Sequence, residues 1–144
     1  MTAVENKRLM QHAFAELERG NSKPFVDLIA DDMVWITPGS TSWSGRYAGK
    51  GVIMNEMWGA LRLQLEGRIR TIADRITADG DIVVVEAHGD NMTKRGQPYR
   101  NTYCMVYRFA GGKIKEMTEY MDTDLVAKVL APPQFPSGKD ARTA

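Results

Sequence analysis

The chain has 144 residues, with 19 Lys and Arg against 18 Asp and Glu, a formal net charge of +1 at pH 7. That balance removes the bulk electrostatic case for a nucleic-acid partner. No apolar run reaches the ~20 residues that span a bilayer, and a lone Cys104 makes neither an internal disulfide nor a zinc site.

At 43% hydrophobic residues the composition is that of one globular domain, expected over residues 1–130, large enough for a core and a small cavity. The N-terminus MTAVENKRLMQHAFAEL carries charges where a secretion signal needs an apolar stretch, so a cytoplasmic protein is expected. Residues 4–19 place Val4, Leu9, Met10, Ala13, Phe14 and Leu17 at helical spacing, and Gly20 ends the run as a C-terminal cap. A second helix starts at Asn21 or Ser22, with Pro24 in its first turn, and carries Phe25, Val26, Leu28 and Ile29. Met33 to Thr37 reads as a short strand ended by Pro38-Gly39. The Gly- and Ser-rich loop that follows carries Trp43 and Tyr47, and Val52, Ile53, Met57, Trp58, Leu61 and Leu65 mark a third helix.

From Arg68 to Asp122 the residues are β-branched and aromatic, with turn signals at Asp79-Gly80, Arg95-Gly96-Gln97-Pro98 and Ala110-Gly111-Gly112. Spacing of about 15 residues predicts long antiparallel strands joined by hairpins. Thr123 to Leu130 closes the domain with a helical turn or two. The Pro-rich tail over 131–144 is expected to lie along the surface or to be disordered. The predicted fold class is α+β: three N-terminal helices packed in a cone against a curved, mostly antiparallel β-sheet.

Period-two alternation sorts the strand faces. Glu86, His88, Asp90 and Met92 share one face, opposite Val83, Val85 and Ala87. Asn101, Tyr103, Met105 and Tyr107 share another, as do Met117, Glu119 and Met121. A two-residue turn at Gly96-Gln97 and a three-residue loop at Ala110-Gly111-Gly112 predict three rows across the sheet. These are His88 with Met105 and Met117, Asp90 with Tyr103 and Glu119, and Met92 with Asn101 and Met121. Two carboxylates then flank a tyrosine. In a closed apolar cavity desolvation raises a carboxyl pKa towards neutrality, which suits proton transfer; at an open cone mouth the same carboxylates are merely solvated.

Three stretches carry a family resemblance: Ala30-Asp31-Asp32-Met33-Val34-Trp35, Tyr47-Ala48-Gly49-Lys50-Gly51, and GQPYRNTYCMVYRFAGGKIKEMTEYMDTDLV near the end. With these the chain resembles the nuclear transport factor 2-like superfamily and, within it, the SnoaL-like polyketide cyclase and ketosteroid isomerase group. The resemblance implies a cone of curved sheet closed by three helices, an apolar pocket, and a dimer. It also implies that the face bearing Glu86, Asn101 and Met117 lines the pocket, and that Glu119 stands where relatives can carry a catalytic acid. The ketosteroid isomerase machinery does not carry over, because Ala13, Thr37 and Met105 stand at its tyrosine, base and second aspartate.

Glu119 is therefore the candidate general base or acid, with His88 or Asp90 assisting; each of those two also reads as a plain structural or solvated residue. Asn101 and Tyr103 are candidate donors to a ligand carbonyl, and Trp35, Met57, Trp58, Met105, Met117 and Met121 candidate apolar walls. The expected function is cofactor-free, metal-free proton transfer on a small apolar carbonyl compound by an isomerase, cyclase or hydratase-like enzyme. The alternative is a non-catalytic binding or interaction module of the same fold. A homodimer through the outer face with Cys104, Val106, Thr118 and Tyr120 is expected, with no nucleic-acid or membrane partner.

Overall fold

The computed structural model describes residues 1–143. Helix α1 (Ala3–Glu18) opens on a capping box, in which Thr2 Oγ1 accepts from the Glu5 backbone N–H and Glu5 accepts from that of Thr2. Gly20, at φ +90°, ends it in a left-handed conformation that costs glycine little. Helix α2 (Lys23–Leu28) is short, with Pro24 in its first turn. Strand β1 (Ile29–Thr37) begins earlier than the sequence predicts, because Ile29 already pairs with Ile114 ahead of a register irregularity. After β2 (Gly45–Ala48), a π-helical stretch Val52–Met57 runs into α3 (Trp58–Arg62). The predicted third helix thus stops at Arg62, and Leu65 makes a bridge to Thr93 instead.

The remaining elements are β3 (Thr71–Asp79), β4 (Ile82–Gly89), β5 (Asn91–Met92), β6 (Pro98–Tyr99), β7 (Thr102–Ala110), β8 (Lys113–Met121) and α4 (Thr123–Val129). Six strands form one sheet in the order β2-β1-β8-β7-β4-β3, and β5 and β6 pair as a separate ribbon. Only the β1–β8 pairing is parallel. The architecture is the predicted α+β one, with the helices against the inner face of the curved sheet. Edge-to-face aromatic contacts bind the two layers: Phe14 to Tyr107 at 6.4 Å, Phe25 to Tyr107 at 6.2 Å and Trp35 to Trp58 at 5.8 Å between ring centres.

Two turns decide which residues face inward. The β5–β6 turn spans Thr93 to Gln97, since Met92 pairs with Pro98 across it and the Thr93 N–H donates to Gln97 O at 2.8 Å. His88 consequently lies opposite Thr102, not Met105, and Val85 takes the place beside Met105. A slide of three residues is odd, and an odd slide inverts the face. Val83, Val85 and Ala87 point into the core, while Glu86 and His88 point out, which overturns the predicted pocket face of this strand. At the other hairpin Ala110 pairs with Lys113 across Gly111-Gly112, and a bulge at Arg108/Phe109 brings Met105 opposite Glu119. That slide is two residues, so the inward faces of β7 and β8 are the predicted ones while the row partners differ.

The tail runs back over the loop between β1 and β2. The Trp43 indole N–H donates to Ala131 O at 2.9 Å, and Gln64 clamps the Ala131 backbone through both its N–H and its carbonyl. Phe135 packs on Tyr47 at 6.1 Å between ring centres, with the Arg142 guanidinium 5.6 Å above its ring. Phe135→Ala is expected to lower stability by roughly 2 kcal/mol with an unchanged urea m-value, where a merely surface-lying ring would cost under about 0.5 kcal/mol.

Candidate active site

A cavity of about 390 Å³ lies between the helices and the inner sheet face, inside the ~300–1,000 Å³ range of small-molecule sites. Its wall is rich in aromatic rings: Phe14, Phe25, Trp35, Trp58, Tyr103 and Tyr107 are among the side chains lining it. Glu119 is the only carboxylate among the lining residues. β8 presents it opposite Met105 of β7, and β1 brings Trp35 alongside Met117 of β8, so that the indole reaches across. The Trp35 Nε1–H donates to Glu119 Oε1 at 3.4 Å, a long and weak hydrogen bond.

That is little compensation for a buried charge. Burial pushes the Glu119 carboxyl up from 4.5 to about 7, against the smaller opposing pull of the Trp35 N–H. What part of Glu119 stays accessible faces the cavity, so the group is out of bulk water yet open to a ligand. Four phenols surround this charge. Burial raises the Tyr47 hydroxyl to about 12 and pushes those of Tyr99, Tyr103 and Tyr107 upward too, with the charge of Glu119 adding to each. All four stay neutral and act as hydrogen-bonding hydroxyls.

Two phenols are already occupied. Tyr47 donates to Trp43 O at 2.8 Å and Tyr107 to Met105 Sδ at 3.4 Å. Tyr99 accepts from Asn101 Nδ2 at 3.1 Å, and its hydroxyl meets that of Tyr103. The orientation of Asn101 is fixed by its other bonds. Its Oδ1 accepts from the backbone N–H of Thr102 and of Asp122, and its Nδ2 also donates to Asp122 O. The amide therefore presents a donor, not an acceptor, to Tyr99. This leaves Tyr103 as the lining phenol beside Glu119 with no bond to backbone or sulfur.

The structure brings Glu119, Trp35, Met57, Trp58, Tyr103, Met105 and Met121 together around the cavity. Met117 is fully buried in the core beside Tyr107 and does not line the cavity. Asn101 is a saturated clamp on the β8–α4 junction, not a ligand donor. His88 and Asp90 lie elsewhere, which corrects the sequence expectation. His88 Nδ1 meets the Asp74 carboxylate at 2.8 Å on the outer face, and Asp90 pairs with Arg70 at 3.0 Å and Arg100 at 3.5 Å. The cause is the slide at the Thr93–Gln97 turn. Tyr107 was findable by alternation with Tyr103, and Met54 and Leu61 by helical spacing with Met57 and Trp58. Tyr47 sits in a segment without periodicity, so no sequence pattern placed it there. Among the described residues no three His, Cys, Asp or Glu side chains converge as metal ligands.

The sequence of the SnoaL-like domain family matches residues 10–117. The chain belongs to that family. Solved structures of similar fold include an NTF2-like protein from Burkholderia thailandensis E264, 21% identical, with a TM-score of 0.76 over 92% of this chain and 99% of that one. An LEH-like epoxide hydrolase from M. tuberculosis is 19% identical, with a TM-score of 0.67 over 89% of this chain and 90% of the other. TerC, crystallised with polyporic acid, is 19% identical, with a TM-score of 0.73 over 86% of this chain and 96% of that one. At such identities the likeness shows the fold. No curated protein matches the sequence. No described helix of this SnoaL-like chain is long and apolar enough to cross a membrane.

The raised Glu119 fixes the sign of a pH effect. Its proton is bound more tightly in the folded state, so the stability it contributes is full below its unfolded value of 4.5 and falls as pH rises through about 7. Urea unfolding at about pH 5 and about pH 8 should differ by up to roughly 3 kcal/mol more for the native chain than for Glu119→Gln. Equal differences would mean the carboxyl is not desolvated.

Proposed function

We propose that this SnoaL-like protein is a cofactor-free proton-transfer enzyme of the isomerase or cyclase type, acting on a small apolar carbonyl compound held in the cavity. The observation that carries the reading is Glu119: a carboxyl without counter-cation, raised by burial to about 7 and accessible to the cavity. A group poised near the working pH populates both base and acid forms, the condition for taking and returning a proton. In the forward step the carboxylate removes a proton from the carbon beside the carbonyl. The C–H electron pair moves into the new C=C bond, and the C=O pair moves onto oxygen. The Tyr103 hydroxyl, kept protonated by burial, donates a hydrogen bond to that oxygen as charge develops. The protonated Glu119 then returns the proton to a different carbon of the same molecule.

Two proteins of this fold, an LEH-like epoxide hydrolase and TerC crystallised with polyporic acid, support small-molecule chemistry in such a scaffold. β-Tetralone in D2O, followed by proton NMR, tests the reading. The native chain should accelerate deuteration beside the carbonyl, and Glu119→Gln should slow it by about a hundredfold or more. A variant as fast as the native chain would remove the catalytic role and leave a binding module.

The same proposal includes a homodimer. On the outer sheet face Val34 and Ile36 of β1 run beside Glu116 and Thr118 of β8, next to Cys104 and Val106 of β7. Tyr120 is 53% exposed there, the kind of uncovered apolar patch that a second copy covers. Sedimentation equilibrium should give a dimer for the native chain and a monomer for Tyr120→Glu; a native monomer would overturn this part.

A further inference from the structure

The cavity's only cationic lining residues are Arg62 and Arg68, and both are exposed, so they stand at its mouth. Arg62 ends α3, with its guanidinium donating to Met54 O at 3.0 Å. Arg68 precedes β3 and donates to Glu18 O at 3.2 Å, lying across Gly20 so closely that a Cβ there would fall 2.1 Å from its Nη1. Each is held by one backbone carbonyl and keeps most of its five N–H donors free. Neither takes part in an ion pair among the described residues, whereas Arg70, Arg75 and Arg142 all do.

The interior has the opposite character. Beyond the rim the lining offers rings, thioethers, hydroxyls and the single carboxyl of Glu119, and no cation. An anionic group carried inward would lose its water, gain no counter-charge, and meet Glu119 as a like charge. At the rim the same group keeps part of its hydration and meets two oriented guanidinium forks, the geometry that suits carboxylate, sulfonate or phosphate oxygens.

Building on the small-molecule reading of this cavity, we infer that its ligand is an amphipathic organic anion bound head-out. The neutral, apolar end lies against Glu119 and Tyr103, and the anionic end rests on Arg62 and Arg68. This orientation also selects which carbon faces the proton-transfer group, because it fixes the ligand end for end.

Two fluorescent probes sharing one aromatic body test the inference: anilinonaphthalene sulfonate, and N-phenylnaphthylamine, which lacks the sulfonate. Arg62→Gln/Arg68→Gln should weaken binding of the sulfonate about tenfold, leave the amine unchanged, and abolish most of the salt dependence of sulfonate binding. Unchanged binding of the amine also shows that the variant is folded. Loss of affinity for both probes alike, or for neither, overturns the rim as an anion site. If the native chain binds neither probe, the cavity reading falls with it. If β-tetralone exchange fails while the sulfonate effect holds, the chemistry is removed and the ligand class stands.

Discussion

A carboxyl group with no counter-charge sits behind a wall of aromatic rings, and much of the surrounding architecture follows from tolerating it. An ionised Glu119 in that position has one long indole hydrogen bond where bulk water would offer several. The folded chain answers by holding the proton up to about pH 7, not by supplying an arginine or lysine. The nearby cations are spent outside: Arg75 of β3 on Glu86, and Arg70, just ahead of β3, and Arg100, between β6 and β7, on Asp90. Exposed pairs of that kind contribute little to stability. None of these three arginines lines the cavity, where the cationic lining residues are the exposed Arg62 and Arg68, so no arginine or lysine offsets the burial of Glu119.

The aromatic wall has to be both apolar and polar at the same depth. Phe14, Phe25 and Trp58 bring helix surface against Tyr107 and Trp35 of the sheet, sealing the cavity by edge-to-face contacts that no aliphatic set would orient. Tyr47 and Tyr107 spend their hydroxyls internally and behave as filled walls. Tyr99 is tied to Asn101, which is itself locked by two backbone donors. Removing the acceptor role of Asn101 would free the backbone N–H groups of Thr102, at the start of β7, and of Asp122, ahead of α4, as well as disturb Tyr99, so this side chain belongs to stability and to the site at once.

How much of this was legible in the sequence depended on parity. Alternation along β7 and β8 assigns Tyr103, Met105, Glu119 and Met121 to one surface regardless of turn length, provided any slide is even, and the bulge at Arg108/Phe109 made it two. The β4 strand had no such protection. Gly96 invited a tight turn, yet the chain spends Thr93 to Gln97 on it, with Thr93 closing the loop through its backbone and hydroxyl. The odd slide moved His88 and Asp90 from the expected row to the outside. A second reading of the same strand was available: Val83, Val85 and Ala87 are the apolar set, and the apolar set belongs inside. The α+β layering was readable because long helical and alternating segments are strong signals. The Gly- and Ser-rich loop with Trp43 and Tyr47 has no period, and its partner in space is a Pro-rich tail about 90 residues away in sequence.

The division of labour between rim and interior follows from the same electrostatics. A cation placed beside Glu119 would bind the proposed anionic ligand more tightly but would hold the carboxylate ionised and weakly basic, at odds with the proposed proton-transfer step. Placing Arg62 and Arg68 at the mouth separates the two demands. Solvent screens the guanidinium charge over the distance to Glu119, while a ligand spanning the cavity connects both ends. Gly20 is what permits this. Its left-handed turn, with no side chain, lets Arg68 lie flat across the α1–α2 junction instead of extending into water. A backbone conformation that the sequence marks only as the end of a helix thus sets where the charge at the cavity mouth can stand.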